Sequence, residues 1–230
     1  FKAVDWITSY VSTAYAGLVA GYVEGNISNC TASGTVSMEP VGRSSNGTQS
    51  VNTGYVGGIV GYAANGTIAS CVSDVSVDEC VTLHNTTGKG FYFGGIAGAA
   101  AGTEVSECEN RGAVDITYTT AVAQGDAVGG IVGYLTADNG GSISGCRNSG
   151  SVTMTGLKQV AVGGICGKAI APVADSVNEG AVSHNVLYSD GSLNDPTYYA
   201  GSNIGGVVGL SRSDISRCGN LGTVRIYKNG

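Results

Sequence analysis

Apolar and polar positions along this chain recur in two alternating blocks. The first is a Gly-Gly-aliphatic-aliphatic-Gly pentad. It reads AGLVAG at 16–21, GGIVG at 57–61, GGIAG at 94–98, GGIVG at 129–133, GGICG at 163–167 and GGVVG at 205–209. The second has the form xIxxCxNxG, at 26–34, 67–75, 104–112, 142–150, 172–180 and 214–222, and a short GxVx segment follows each copy. Aligned, the copies give columns. One is Ile27, Ile68, Val105, Ile143, Val173, Ile215, and three residues on comes Cys30, Cys71, Cys108, Cys146, Ser176, Cys218. Then follow Ala32, Ser73, Asn110, Asn148, Asn178, Asn220, and finally Val36, Val77, Val114, Val152, Val182, Val224. Self-similarity at a fixed spacing is the mark of a repeat architecture.

Each unit holds three strand-like segments rich in Val, Ile and Thr and bounded by Gly, Asn and Ser. No segment carries the i, i+3, i+4, i+7 spacing of an amphipathic helix. In GSVTM, Val152 and Met154 point one way while Ser151 and Thr153 point the other, as in a strand with one buried face. One such unit cannot bury its apolar face alone, and stacked units can. The pattern predicts an all-β parallel β-helix of about six coils with three strands per coil. At about 4.8 Å per coil the rod is roughly 30 Å long. A six-bladed propeller is the competing reading. Residues 1–14, including Trp6, match no full unit and read as an N-terminal cap or the edge of a preceding coil; residues 15–230 read as one six-repeat domain with them.

Stacking turns columns into ladders. The Cys column is expected inside, buried and reduced, because parallel in-register Cβ vectors suit a disulfide poorly. Asn fits a turn, where it tolerates left-handed backbone, and the Gly after it supplies a positive φ. The pentad is apolar at both aliphatic positions, as in a strand covered on both faces; inserts at about 39–54, 79–91, 117–126, 155–160 and 185–202 are the expected cover.

Charge and composition narrow the function. Net charge is −6 and no basic stripe occurs, which argues against nucleic acid. The 39 glycines have no three-residue period, so the chain is not collagen-like. No run of some 20 apolar residues reads as a membrane span. The chain opens on Phe1, which reads as a processed form or an excised piece. Seven cysteines without a CxxC pair or a Cys/His cluster exclude an ordinary zinc site, and no metal or cofactor is expected. Cys80, in an insert, is the one thiol expected near the surface.

Chemistry is sparse. The best acidic grouping is Glu104, Glu107 and Glu109 with Arg111, and Arg147 one coil on; Asp78 and Asp115 ladder in adjacent coils. A polysaccharide-active β-helix enzyme would use such carboxylates, but a solvated surface network fits them as well. His84 and His184 lie apart, and no GxSxG elbow or calcium nonapeptide is present. The outward column Thr35, Ser76, Ala113, Ser151, Ala181, Thr223 is too irregular for an ice-binding array. Copies differ most in the inserts, and insertions in repeat proteins often form the binding face. Phe91, Tyr92, Tyr188, Tyr198 and Tyr199 are therefore the candidate ligand contacts, for a host or bacterial glycan or protein; the alternative is that they cover the core.

The segments GGIVGYAANGTIASC and GGIVGYLTADNGGSISGC resemble the GLUG repeat, and the resemblance extends over about residues 15–226. It implies a secreted or surface-displayed bacterial module, adhesin-like or a spacer, and offers no catalytic residue to carry over. The expected function is thus a non-enzymatic binding or display module outside a bacterial cell. The Cys column and the long inserts depart from a minimal repeat.

Overall fold

A computed structural model describes residues 11–38, 51–81, 90–118, 125–156, 160–187 and 202–229. Strands stack in parallel, each on its equivalent in the next repeat. Three of the sheets have six strands, one from every repeat, and the fourth has ten. All recorded strand pairs are parallel, so antiparallel propeller blades are excluded for the described residues.

Each coil carries more strands than the three expected. In the third they are Phe91–Gly94, Ala97–Ala101, Glu104–Ser106, Glu109–Asn110 and Val114–Tyr118. We number the sheets I to IV in that order, the last two strands sharing sheet IV. The predicted columns hold in register. Ile68, Val105 and Ile143 pair in sheet III, and Val77, Val114 and Val152 pair in sheet IV. The first strand of sheet I, Val11–Gly17, begins in the stretch 1–14 read as a cap and pairs with Val51–Gly57. The rest of that stretch, with Trp6, lies outside the described residues, as do most insert residues, His84 and the side chain of Cys80.

The pentad is a corner and not a doubly covered strand. Gly57 ends one strand and Val60 opens the next, with Gly58 and Ile59 turning between them. Its aliphatic pair is buried because the corner points it into the core: Ile59, Ile96, Ile131 and Ile165 are fully enclosed. The first glycine leaves room for the carbonyl across the corner, so a side chain at Gly94 would run into Ala97 O. The third lets sheets I and II approach to backbone contact; a Cβ on Gly98 would meet Val56 N and Gly61 O.

The second pentad glycine makes space for the asparagine column. A Cβ on Gly95, Gly130, Gly164 or Gly206 would overlap the amide of Asn110, Asn148, Asn178 or Asn220. These amides form a ladder through the interior. Asn110 Nδ2 donates to Asn148 Oδ1 at 2.8 Å, Asn148 Nδ2 to Asn178 Oδ1 at 2.8 Å, and Asn178 Nδ2 to Asn220 Oδ1 at 2.7 Å. Each Nδ2 also donates to the carbonyl two residues on, that of Gly112, Gly150, Gly180 or Gly222, at 2.8 Å. The expected left-handed asparagine turn is therefore corrected: none of the four has a positive φ. Nor do the glycines after them. They are glycine because a Cβ on Gly150 would collide with Gly112 O in the coil below.

The left-handed turn lies one position before the Cys column. Asn29, Ser70, Glu107, Asp175 and Arg217 have φ between 49° and 53°, and Gly145 has 61°. The Cys column itself points inward. Cys71, Cys108 and Cys146 are buried, while Cys30 and Cys218, in the first and last coils, are partly exposed; none is in a disulfide. Each thiol donates to the carbonyl two residues back, as Cys108 does to Ser106 at 3.3 Å, and Ser176 fills the gap by donating to Ala174 at 2.7 Å.

The ladder starts on an unmet acceptor. Asn110 Oδ1 is buried without a partner, because the coil below carries Ser73, whose hydroxyl is turned to Val75 N at 3.3 Å. Ser73→Asn should supply the missing donor and raise unfolding free energy by about 1 kcal/mol, the net worth of one amide hydrogen bond. Asn148→Ala, which leaves the acceptor of Asn178 and a donor of Asn110 unmet, should lower it by about 2–4 kcal/mol. Urea denaturation followed by circular dichroism reads both.

Candidate functional site

Sheets I and II bring two tyrosine columns together on the surface. Tyr15, Tyr55 and Tyr92 are in register in sheet I. Tyr22 and Tyr62 are in register in sheet II, and Tyr134 follows after Ala99. Within columns the rings stack in the offset manner. Tyr15–Tyr55 centroids are 5.3 Å apart at 11°, Tyr55–Tyr92 5.2 Å at 26°, and Tyr22–Tyr62 5.6 Å at 4°. Across the corner, Tyr55 meets Tyr62 edge-on at 4.9 Å, and Tyr92 stacks on Tyr134 at 4.9 Å. Such pairs each add about 0.5–1.5 kcal/mol beyond area burial. The result is a strip of six rings along the rod axis. The Lys168 ammonium closes one end, 4.8 Å from the Tyr134 centroid.

The strip is wet on one side. Tyr15 and Tyr22 are 42% and 50% exposed, and the other four rings are half-buried. Burial, with the neighbouring phenols of Tyr62 and Tyr15, pushes the Tyr55 hydroxyl up to about 12. Burial likewise raises Tyr62, Tyr92 and Tyr134. At neutral pH the strip is a row of protonated hydroxyls and ring edges, able to donate and accept along a linear partner.

Of the aromatics predicted as ligand contacts, only Tyr92 is in this strip. Phe91 is 4% exposed. It faces inward, stacks on Phe93 at 6.5 Å and occupies the space over Gly54. Its N–H donates to Asp126 Oδ1 at 2.7 Å, and burial pushes that carboxyl up to about 7. Tyr188, Tyr198 and Tyr199 lie outside the described residues. Sequence reasoning missed Tyr15, Tyr22, Tyr55, Tyr62 and Tyr134. The signal was present as Tyr flanking the pentad, in YAGLVAGY, YVGGIVGY and GGIVGY.

The acidic grouping is tied into ion pairs. Glu109 accepts from Arg111 at 2.7 Å and from Arg147 at 3.2 Å, and Arg147 reaches on to Glu179 at 2.6 Å. The Arg111 guanidinium, followed by Arg147, holds the Glu109 carboxyl below its ordinary range. Glu107 sits on the left-handed turn and accepts from the Ser70 hydroxyl at 3.2 Å. Asp115 stands beside Asp78 in register and is raised by burial, then by that neighbour. His184 is enclosed in the core column after Met154, and burial holds its pKa below the usual value. Among the described residues no three His, Cys, Asp or Glu side chains converge as a metal-binding set. Among them, too, no helix is long and apolar enough to cross a membrane.

Fold and surface together define a parallel β-solenoid with an external aromatic strip. The GLUG motif matches residues 12–37 and 124–153, so the chain carries GLUG-motif repeats. These matches cover the first and fourth coils, and the other coils share their register. No curated protein and no solved structure gave a match.

Alkaline titration tests the strip. A tyrosine whose pKa is higher in the folded chain than the ordinary 10 contributes stability that is fully present below pH 10 and is lost as pH rises through the folded value, about 12 for Tyr55. Unfolding free energy should therefore fall between pH 10 and 12, and Tyr55→Phe should flatten the fall. Phenolate absorbance near the ultraviolet edge reports the same ionisation.

Proposed function

We propose that this chain is a non-enzymatic repeat module, displayed on or secreted from a bacterial cell, that holds a glycan or protein partner through its tyrosine strip. The carrying observation is the strip itself. Six aromatic side chains are spent on the outside of the rod, at outward columns the core does not constrain. Tyrosine supplies large contact area at low conformational cost together with a hydroxyl for bonding. The GLUG repeats support the extracellular, adhesin-like setting by resemblance.

Catalysis needs an acid, a base and a charge stabiliser in one cleft. Glu109, between two guanidiniums, is ionised and engaged. That arrangement favours a surface network over a hydrolytic pair, whose acid needs a raised pKa.

A glycan and host-protein array with wild type and a Tyr55→Ala/Tyr92→Ala variant tests the reading. Loss of at least about tenfold in affinity is expected, the scale of removing interface anchors, with the parallel-β circular dichroism retained. Binding to no ligand would reduce the module to a spacer. Polysaccharide cleavage abolished by Glu109→Gln would replace the reading with an enzyme.

A further inference from the structure

The strip ends on two cations that no carboxylate among the described residues answers. Elsewhere on the described surface, arginines are matched. Arg111, Arg147 and Arg217 each touch a carboxylate, and Arg225 donates to the Tyr227 hydroxyl at 3.0 Å. Lys168 and Arg212 touch no carboxylate among the described residues, on a chain whose net charge is −6. Lys168 follows Tyr134 in register. Just past the sheet II strand Val208–Ser211, the Arg212 backbone N–H donates to Ala169 O at 2.9 Å. The guanidinium is near enough for its charge to act on both Tyr134 and Lys168. Lys168 is partly buried, and Tyr134 fixes its ammonium at 4.8 Å from the ring centroid. Two like charges near each other, one of them partly desolvated, disfavour each other's charged form, and an anion bound between them relieves that.

Resting on the reading of the strip as a binding face, we infer that its Lys168–Arg212 end is a subsite for an acidic polysaccharide. Lys168 and Arg212 take a uronate carboxylate there, and Tyr92 and Tyr134 flank the sugar chain. A linear glycan suits the strip because rings repeat at the coil spacing, comparable to the length of one pyranose, and phenol hydroxyls meet sugar hydroxyls along it. A carboxylate suits the end because ammonium and guanidinium donate charge-assisted bonds to it. Asp138 gives the site a direction. Its backbone carbonyl lies against Gly102 of the third coil, away from Arg212's coil, and its carboxylate is near enough to bear on Tyr62 and Tyr134. It repels a second carboxylate on the neighbouring sugar, so the fit is to a glycan whose uronates alternate with uncharged sugars.

Calorimetric titration of the whole chain with hyaluronan oligosaccharides and with neutral chitin oligosaccharides of equal length tests this. Hyaluronan should bind at least about tenfold tighter than the neutral glycan, and added salt should weaken it. Lys168→Gln with Arg212→Gln should erase that preference, and Asp138→Asn should tighten hyaluronan binding. All three positions are at the surface, and circular dichroism checks the fold of each variant. Equal binding of both sugars, lost in Tyr55→Ala/Tyr92→Ala and unchanged in the Lys168/Arg212 variant, overturns the acidic subsite and leaves the strip as a neutral glycan site. Binding of neither sugar also overturns it; the wider array then decides separately whether the strip binds any partner.

Discussion

An amide buried in an apolar stack must have its hydrogen bonds met by the stack itself. Asn148 meets this with one hydrogen to the next asparagine, one to its own turn carbonyl, and its oxygen to the asparagine below. An unmet buried group costs about 1–3 kcal/mol, so the ladder tolerates only one register and only parallel stacking. It also dictates two glycine columns. The second pentad glycine leaves room for the amide, and the glycine after the asparagine lets one coil's carbonyl come close over the next. Coils that lack the asparagine differ accordingly. Thr31–Val36 and Val72–Val81 are each one unbroken strand, whereas the third coil is interrupted at Asn-x-Gly, between Glu109–Asn110 and Val114–Tyr118, while keeping the same register.

Columns were legible in the sequence because parallel in-register stacking places like upon like. Ile68 lies on Val105, and Val114 on Val152, as alignment alone required. Corners were not legible. Glu107, Asp175 and Arg217 adopt a left-handed φ that costs about 1–2 kcal/mol per residue, a sum the surrounding ladder hydrogen bonds offset, so no residue type marks the position. Asn110 drew the turn assignment because asparagine often makes turns, yet its amide is used inside. The pentad misled for a related reason. A continuous apolar run reads as a strand covered twice, and a sharp bend that points Ile96 inward gives the same composition. The tyrosine strip escaped because its residues sit next to the conserved-looking block and not in the inserts. Among the described residues Tyr92, at the edge of the insert 79–91, is the one shared by the predicted contacts and the strip.

The two ways this surface handles its ladders differ in what they leave over. Around Glu109 opposite charges meet between neighbouring coils: Arg147 lies in register on Glu109 and also reaches Glu179, so the charges cancel locally. Exposed pairs of this kind are each worth about 0–1 kcal/mol, and they leave little for a partner to gain. Along the strip the columns change character instead. Sheet I passes from Tyr92 to Ala127, Ala161 and Asn203, and sheet II passes from Tyr134 to Lys168 and Leu210. Nothing in the core requires this sequence of outward residues, since the inward positions continue unbroken past it. A rod whose inside repeats and whose outside is graded has a direction, aromatic toward one end and cationic toward the other. A linear ligand laid along it meets different chemistry at each coil, which a uniform spacer surface would not offer.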